Sequence, residues 1–211
     1  MFADDKTLYS SHQCPTAAAA VASTGLNAIS SSLAPKGLSI NEVKTVAMVI
    51  QPPRSVQDTA PVILNGKPLQ MVSETHCLGV IIDDRLSWSS HVNSVASKAG
   101  RKIGVLRQVR RRMSERARRL YLLSVVQPDL EYCAIAFLSS CRNRLLAIFR
   151  RALRAVVGAP PQAECLPIMR ELNVQPLVTR CLVQLGSFVF ECSKQPPAQC
   201  LANMLSLSRT C

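Results

Sequence analysis

The sequence predicts an α+β fold in which short β-hairpins precede an all-helical bundle. Hydrophobic residues make up 48% of the 211 residues, enough for a packed core, and there are only 8 glycines, which favours helices over a loop-rich β-protein. Apolar residues fall into short β-branched runs before Trp88 and recur at helical spacing after it. We therefore predict a mixed domain over residues 1–88, a basic helical domain over 89–192 and a disordered tail over 193–211.

The first part of the chain contains signals for one helix and several strands. An alanine-rich stretch predicts a helix from Pro15 to Leu33, which Pro35 and Gly37 then end. Asn65-Gly66 tolerates the positive φ of a tight turn and predicts a hairpin between two apolar runs. The predicted strands are Thr45–Ile50, Val62–Leu64, Leu69–Val72 and His76–Ile82, the last ended by Asp83-Asp84.

Four helices are predicted after Trp88. Ser89 or Ser90 is expected to cap the first, and Ser114 the second, which should end near Pro128 because proline lacks an N–H donor. The third is predicted over Asn143–Val157 with Gly158 as its stop, and the fourth over residues 176–192. The apolar stripe of the first consists of Val92, Val95, Ala99, Ile103, Leu106 and Val109.

The positive charge is concentrated in one stretch. Between Lys98 and Arg154 there are 15 Lys and Arg against 3 Asp and Glu, so this stretch holds the whole net charge of +12. Such a block predicts an anionic partner, with nucleic acid favoured over a membrane surface. A solvated surface is the simpler alternative. The candidate backbone-binding residues are Lys98, Arg101, Lys102, Arg107, Arg110, Arg111, Arg112, Arg116, Arg118 and Arg119.

The residue types also indicate how the protein would bind. Arginines outnumber lysines 18 to 7, which suits the bidentate recognition of phosphates. Aromatic residues are only 4% of the chain, so base stacking is not indicated and binding should be non-specific in sequence. Nine scattered cysteines without a CxxC pair, no signal peptide and no membrane-length apolar run predict an intracellular protein, with nucleus and cytoplasm not distinguished.

Seven short motifs follow one another in a recognisable order. They are Phe2-Ala3-Asp4-Asp5, Asn41-Glu42-Val43-Lys44-Thr45, Leu78-Gly79-Val80-Ile81-Ile82-Asp83, Leu86-Ser87-Trp88 with His91, Leu120-Tyr121, Pro128-Asp129-Leu130-Glu131-Tyr132 and Arg151-Ala152-Leu153-Arg154. This order, over residues 1 to about 192, resembles the C-terminal half of a reverse transcriptase from a non-LTR (LINE-type) retrotransposon. The resemblance implies a truncated polymerase palm followed by a basic helical thumb.

The resemblance also implies a function. The parent enzyme is an RNA-directed DNA polymerase, a nucleotidyltransferase that uses Mg²⁺, an RNA template and a DNA primer, with no small-molecule cofactor. Asp4 and Asp5 correspond to its catalytic, metal-binding pair. Lys44 corresponds to the nucleotide side of that site. Cys77, Leu78 and Gly79 fall on the strand that supports the primer terminus.

Departures from the family pattern lead us to expect no polymerase activity from this chain alone. The third metal-binding aspartate, the fingers and the strand that precedes the aspartate turn are missing, and Met1 immediately precedes the motif. Lys6 replaces the usual threonine and Leu33 a common tryptophan. The alternatives are a non-catalytic nucleic-acid-binding remnant and an inert gene fragment. Asp83-Asp84 is interpreted as turn chemistry rather than a second metal pair.

Overall fold

The computed structural model describes residues 6–51 and 60–194, in two compact units that divide between His91 and Val92. The described part of the first unit combines a long helix with three two-stranded sheets, and the described part of the second is helical. The predicted α+β class is confirmed. The predicted disordered tail starts at residue 193. Residues 193 and 194 belong to the last described helix, and the rest of the predicted tail lies outside the described residues.

Helix α1 spans Pro15–Leu33, and the sequence predicted both of its ends. Pro15 lies in the first turn, where its missing N–H costs nothing. A short 3₁₀ turn, Ala34–Lys36, follows, and Gly37 ends it at φ 68°. The helix contributes Ala19, Ala22 and Leu26 to an apolar cluster with Val62, Leu64, Leu69, Ile40 and Ala47.

The strands of the first unit are short and pair locally. They are β1 (Val46–Ala47), β2 (Ile63–Leu64), β3 (Lys67–Pro68), β4 (Gln70–Met71), β5 (Glu74–Cys77) and β6 (Val80–Asp83). β2 and β5 each form an antiparallel hairpin with the next strand, whereas β1 runs parallel to β4. Side chains of α1 hold the β2 backbone: Oγ of Ser23 accepts from the Ile63 N–H at 2.9 Å, and Oδ1 of Asn27 accepts from the Asn65 N–H at 2.9 Å.

The turn at Asn65-Gly66 is confirmed, with φ values of 50° and 79°. Its second strand is Lys67–Pro68, whereas Gln70–Met71, within the predicted strand Leu69–Val72, pairs with β1 instead. The single strand predicted over His76–Ile82 is wrong, because Leu78-Gly79 forms a second tight turn at φ 48° and 80°. Leucine rarely adopts this conformation, so the sequence did not indicate a turn there. The strand predicted over Thr45–Ile50 is too long, since only Val46 and Ala47 find paired neighbours on β4.

The helices after α1 are α2 (Ser89–Val109), α3 (Glu115–Tyr121), α4 (Gln127–Glu131), α5 (Ala134–Val157), α6 (Cys165–Glu171) and α7 (Leu177–Lys194). The predicted stripe of α2 is buried except for Val109, which is 37% exposed. Ser89 is the first helical residue, so the prediction that Ser89 or Ser90 caps α2 is wrong. α6 was not predicted.

Two predicted helix boundaries are corrected and two confirmed. Oγ of Ser114 accepts from the Ala117 N–H at 3.3 Å, which confirms this residue as the cap of α3. The helical path then continues through a π segment, Leu122–Val126, so that Pro128 lies in the first turn of α4 instead of ending the helix. The predicted helix over 143–157 is only the second part of α5, after non-helical φ/ψ values at Cys141. Gly158 ends α5 at φ 80°, as predicted.

Among the described residues of the second unit, one carboxylate, that of Glu131, is buried between apolar side chains. Glu131 is 8% exposed and accepts hydrogen bonds from the Arg180 guanidinium, from Nε2 of Gln127 and, at 3.4 Å, from Nε2 of Gln184.

Across residues 6–51 and 60–194, no single helix is long and apolar enough to cross a membrane. Taken together, the segments Glu115–Glu131 and Ala134–Val157 reach the required length and apolar composition, but they are bent by 105° relative to each other.

Candidate nucleic-acid interface

The predicted catalytic and metal-binding pair, Asp4 and Asp5, lies outside the described residues, so its geometry stays a prediction. In the part of the chain that the structure describes, no three His, Cys, Asp or Glu side chains are grouped to hold a metal ion. No Mg²⁺ site is therefore evident among the described residues.

Lys44, predicted on the nucleotide side, is exposed in a turn built by Asn41. Oδ1 of Asn41 accepts from the N–H groups of Val43 and Lys44, both at 3.1 Å. The Asn41 carbonyl accepts from the N–H of Thr45 at 3.0 Å and from its hydroxyl at 2.7 Å. Asparagine side chains commonly stabilise turns in this way. The Asn-x-x-Lys-Thr segment is thus a turn with Lys44 on its surface, and its Glu42 carboxylate accepts from Nζ of Lys67 at 2.8 Å and from Nδ2 of Asn65 at 3.2 Å.

Cys77, Leu78 and Gly79, predicted on the primer side, form the end of β5 and the turn that follows it. Leu78 is 50% exposed at this turn. Sγ of Cys77 lies 3.7 Å from Oγ1 of Thr7. Because Thr7 follows Asp5 by two residues, the chain next to the predicted catalytic pair runs beside the predicted primer-side residues.

Asp83 organises the loop between β6 and α2. Its carboxylate accepts from the N–H groups of Arg85 at 3.2 Å, Ser87 at 2.9 Å and Trp88 at 2.8 Å, and from the Ser87 hydroxyl at 3.2 Å. Partial burial raises the pKa of Asp83, but these hydrogen bonds lower it by more, so the pKa lies below its usual range. Leu86 and Trp88 adopt φ 51° and 61°, which are costly for residues with a side chain. The predicted turn role of Asp83 is confirmed.

His91 ends the same motif at a buried position. It is 4% exposed, and its Nδ1 accepts from the N–H of Ile81 in β6 at 3.3 Å. The first turn of α2 is therefore tied to the β5–β6 hairpin. The residues that resemble a polymerase motif here have a structural role in the first unit.

The structure divides the ten predicted backbone-binding residues into two groups. Three of them bind carbonyl oxygens within the second unit. Nζ of Lys102 donates to Val125 O at 2.9 Å, Nη1 of Arg118 donates to Val156 O at 2.9 Å, and the Arg119 guanidinium donates to Leu172 O and Asn173 O. The exposed members are Lys98, Arg101, Arg107, Arg111, Arg112 and Arg116, and Arg110 is half-buried.

Sequence reasoning did not select Arg151 and Arg154 as binding residues. These two arginines line a cleft together with Arg107 and Arg110. The signal was present in their spacing, because residues three apart on a helix share a face. Fold and charge together define an α+β protein with a basic surface on the helices of its second unit.

The chain is similar in sequence to part of a transposon RNA-directed DNA polymerase. It is 27% identical over 180 residues to the "Probable RNA-directed DNA polymerase from transposon BS" of Drosophila melanogaster. The alignment covers 82% of this chain but 20% of that relative, so the chain spans about a fifth of the relative's length. No protein-family model matches the chain. No solved structure matches it either.

Proposed function

We propose that the chain is part of a non-LTR retrotransposon reverse transcriptase, containing the end of the palm and the thumb, and that its second unit binds nucleic acid inside the cell. The similarity to a transposon RNA-directed DNA polymerase supports the first part. The position of Thr7 beside Cys77 also supports it, since the resemblance requires the catalytic pair and the primer-side strand to lie close together. The RNA template and DNA primer are partners of the complete enzyme under this proposal.

The observation that carries the binding proposal is the exposed basic cluster around the 3₁₀ turn Arg110–Arg112. Between Arg107 and Arg119, Glu115 is the only acidic residue in the sequence. Like charges at this density repel one another unless anions neutralise them. Regularly spaced backbone phosphates would do so, and they carry no base information. We therefore propose binding that depends on charge and not on sequence.

Binding to a 20-base-pair DNA duplex, measured by fluorescence anisotropy at several salt concentrations, tests this proposal. For about six phosphate contacts the log–log slope of affinity against salt is roughly −5. Replacing Arg110, Arg111 and Arg112 with glutamate should make the slope less steep by about 3. It should also lower the affinity for duplexes of unrelated sequence by similar factors.

The matched control reverses Lys36, Arg85 and Arg170, three exposed cations outside the cluster, for the same change in net charge. If this control weakens binding as much as the cluster variant, binding reflects net charge and the cluster is not the interface. Tight, salt-insensitive and sequence-selective binding would contradict a phosphate interface altogether.

We further propose that these 211 residues by themselves do not extend a primer. Mg²⁺ commonly takes one or two carboxylates plus substrate phosphates. Asp4 and Asp5 would supply two carboxylates, but the third aspartate of the family has no counterpart in this sequence. Primer extension on an RNA template in Mg²⁺ or Mn²⁺ should equal that of the Asp4→Ala, Asp5→Ala double variant. Extension above this control would refute the proposal.

A further inference from the structure

Four arginines of the second unit line one cleft of about 680 Å³. Arg107, on the last turn of α2, and Arg110, in the 3₁₀ turn after it, are three residues apart. Arg151 and Arg154 repeat this spacing at the end of α5. Each pair therefore presents two guanidinium groups from one face of its segment. The rest of the lining is small and largely apolar, formed by Ala155, Gly158, Ala159 and Pro161.

The charge of this cleft is uncompensated within the described ranges 6–51 and 60–194. No described carboxylate lines it, and none of its four arginines belongs to a described ion pair. One internal hydrogen bond orients Arg154, whose Nε donates to Ala163 O at 2.9 Å. This bond leaves the terminal nitrogens of Arg154 for another acceptor. Four formal positive charges around one space favour the entry of an anion.

The shape of the cleft depends on a glycine. Gly158 has φ 80°, which ends α5, and a Cβ atom at this position would overlap the Arg110 guanidinium. The missing side chain thus lets Arg110 lie directly against the backbone at the end of α5.

We infer that this cleft is a phosphate-binding site, in which Arg151 and Arg154 act together with Arg107 and Arg110. Guanidinium groups match the oxygen geometry of phosphate and stay charged at every physiological pH. The phosphate can come from a nucleic-acid backbone, a source that rests on the proposed function, or from a small phosphate in solution. Arg111 and Arg112 do not line this cleft.

Two double variants of the full chain test the site. Arg107→Gln with Arg151→Gln removes one exposed arginine from each side of the cleft. Arg85→Gln with Arg170→Gln removes the same charge from exposed residues outside both the cleft and the cluster around Arg110–Arg112. If backbone phosphate enters the cleft, the first variant should lose at least about tenfold in duplex affinity, because hydrogen bonds to charged groups are strong. The second should lose only a few-fold.

A second arm uses inorganic phosphate and thermal melting followed by circular dichroism. For a Kd of about 1 mM, 20 mM phosphate should raise the Tm of the unaltered chain by about 5 °C over chloride at equal ionic strength. The cleft variant should lose this shift and the control should keep it.

The outcomes of the two arms are distinct. Selective loss of duplex affinity in the cleft variant supports the site with backbone phosphate as its source. If the cleft variant loses only the rise in Tm with phosphate and keeps its duplex affinity, the result supports the site with a small phosphate as its ligand. Equal behaviour of the two variants in both arms overturns the site, even if the unaltered chain binds duplex as proposed. An unaltered chain that shows the phosphate shift but no duplex binding refutes the proposed function and leaves the site standing.

Discussion

Replacing Asp83 with alanine tests whether this side chain holds the strained loop between β6 and α2. Its carboxylate accepts three N–H groups and one hydroxyl, and two residues of the loop have positive φ. A hydrogen bond to a charged group contributes about 1.5–3 kcal/mol when protected from water. Because the loop is partly exposed and water replaces some of these bonds, we expect a loss of about 2–3 kcal/mol in the free energy of unfolding of the first unit.

Asp84→Ala is the matched control for this change. Asp84 is adjacent and has the same charge, but its described hydrogen bonds use the backbone, with its N–H donating to Ser73 O at 2.9 Å. Its substitution should change stability by no more than about 0.5 kcal/mol. Urea unfolding can be followed by fluorescence, since Trp88 is the chain's one tryptophan and lies in this loop. Equal losses in the two variants would refute the role assigned to Asp83.

The low pKa of Asp83 adds a pH dependence with a definite sign. A carboxyl group whose pKa is lower in the folded chain stabilises the fold above its unfolded pKa of about 3.9, and this stabilisation is lost as pH falls through the folded pKa. The stability difference between the unaltered chain and Asp83→Asn should therefore be constant from about pH 5 to 8 and shrink below about pH 4. A difference that does not shrink as pH falls below about 4 would contradict this reasoning.

Three further predictions concern the two units. Glu131→Ala should cost about 2–3 kcal/mol in urea unfolding, because it leaves Arg180 half-buried without its carboxylate; a loss below about 1 kcal/mol would show that water compensates. Gly158→Ala should destabilise by at least about 1 kcal/mol, whereas Gly100→Ala, in a helix with open space around it, should be neutral or stabilising; the reverse order would contradict the glycine argument. Hydrogen exchange should be faster in the first unit than in the helices of the second, because its strands are short and paired on one side; equal protection would indicate a more complete core.

The sequence predicted those features whose cause is local. Both ends of α1 follow from a proline in its first turn and the Pro35–Gly37 stop. The Asn65-Gly66 hairpin and the end of α5 at Gly158 follow from residues that tolerate positive φ. In each case the residues that fix the backbone are within a few positions of the feature that they fix.

The missed features depend on residues that are distant in sequence or on conformations that side chains disfavour. Leu78 adopts the φ of a tight turn although leucine is not a turn residue, so one predicted strand became a hairpin. Arg119 binds the carbonyl of Leu172, 53 residues away, and no local pattern distinguishes it from Arg116, which is exposed. Charge counting located the basic block correctly but could not separate arginines that hold the fold from those that face solvent.

The motif residues and the exposed arginines are thus expected to have different roles, the first in fold stability and the second in binding. Asn41, Asp83 and His91 belong to motifs that resemble a polymerase, and in the described structure they stabilise turns and the start of a helix. They bear on ancestry and fold, and changing them should alter unfolding. The exposed arginines next to Arg110, namely Arg107, Arg111, Arg112 and Arg116, donate to no described backbone group, so changing them should alter binding and leave unfolding nearly unchanged. If Arg111 and Arg112 variants instead lowered stability as much as Asp83→Ala, the basic cluster would be part of the fold, and the binding proposal would lose the observation that carries it.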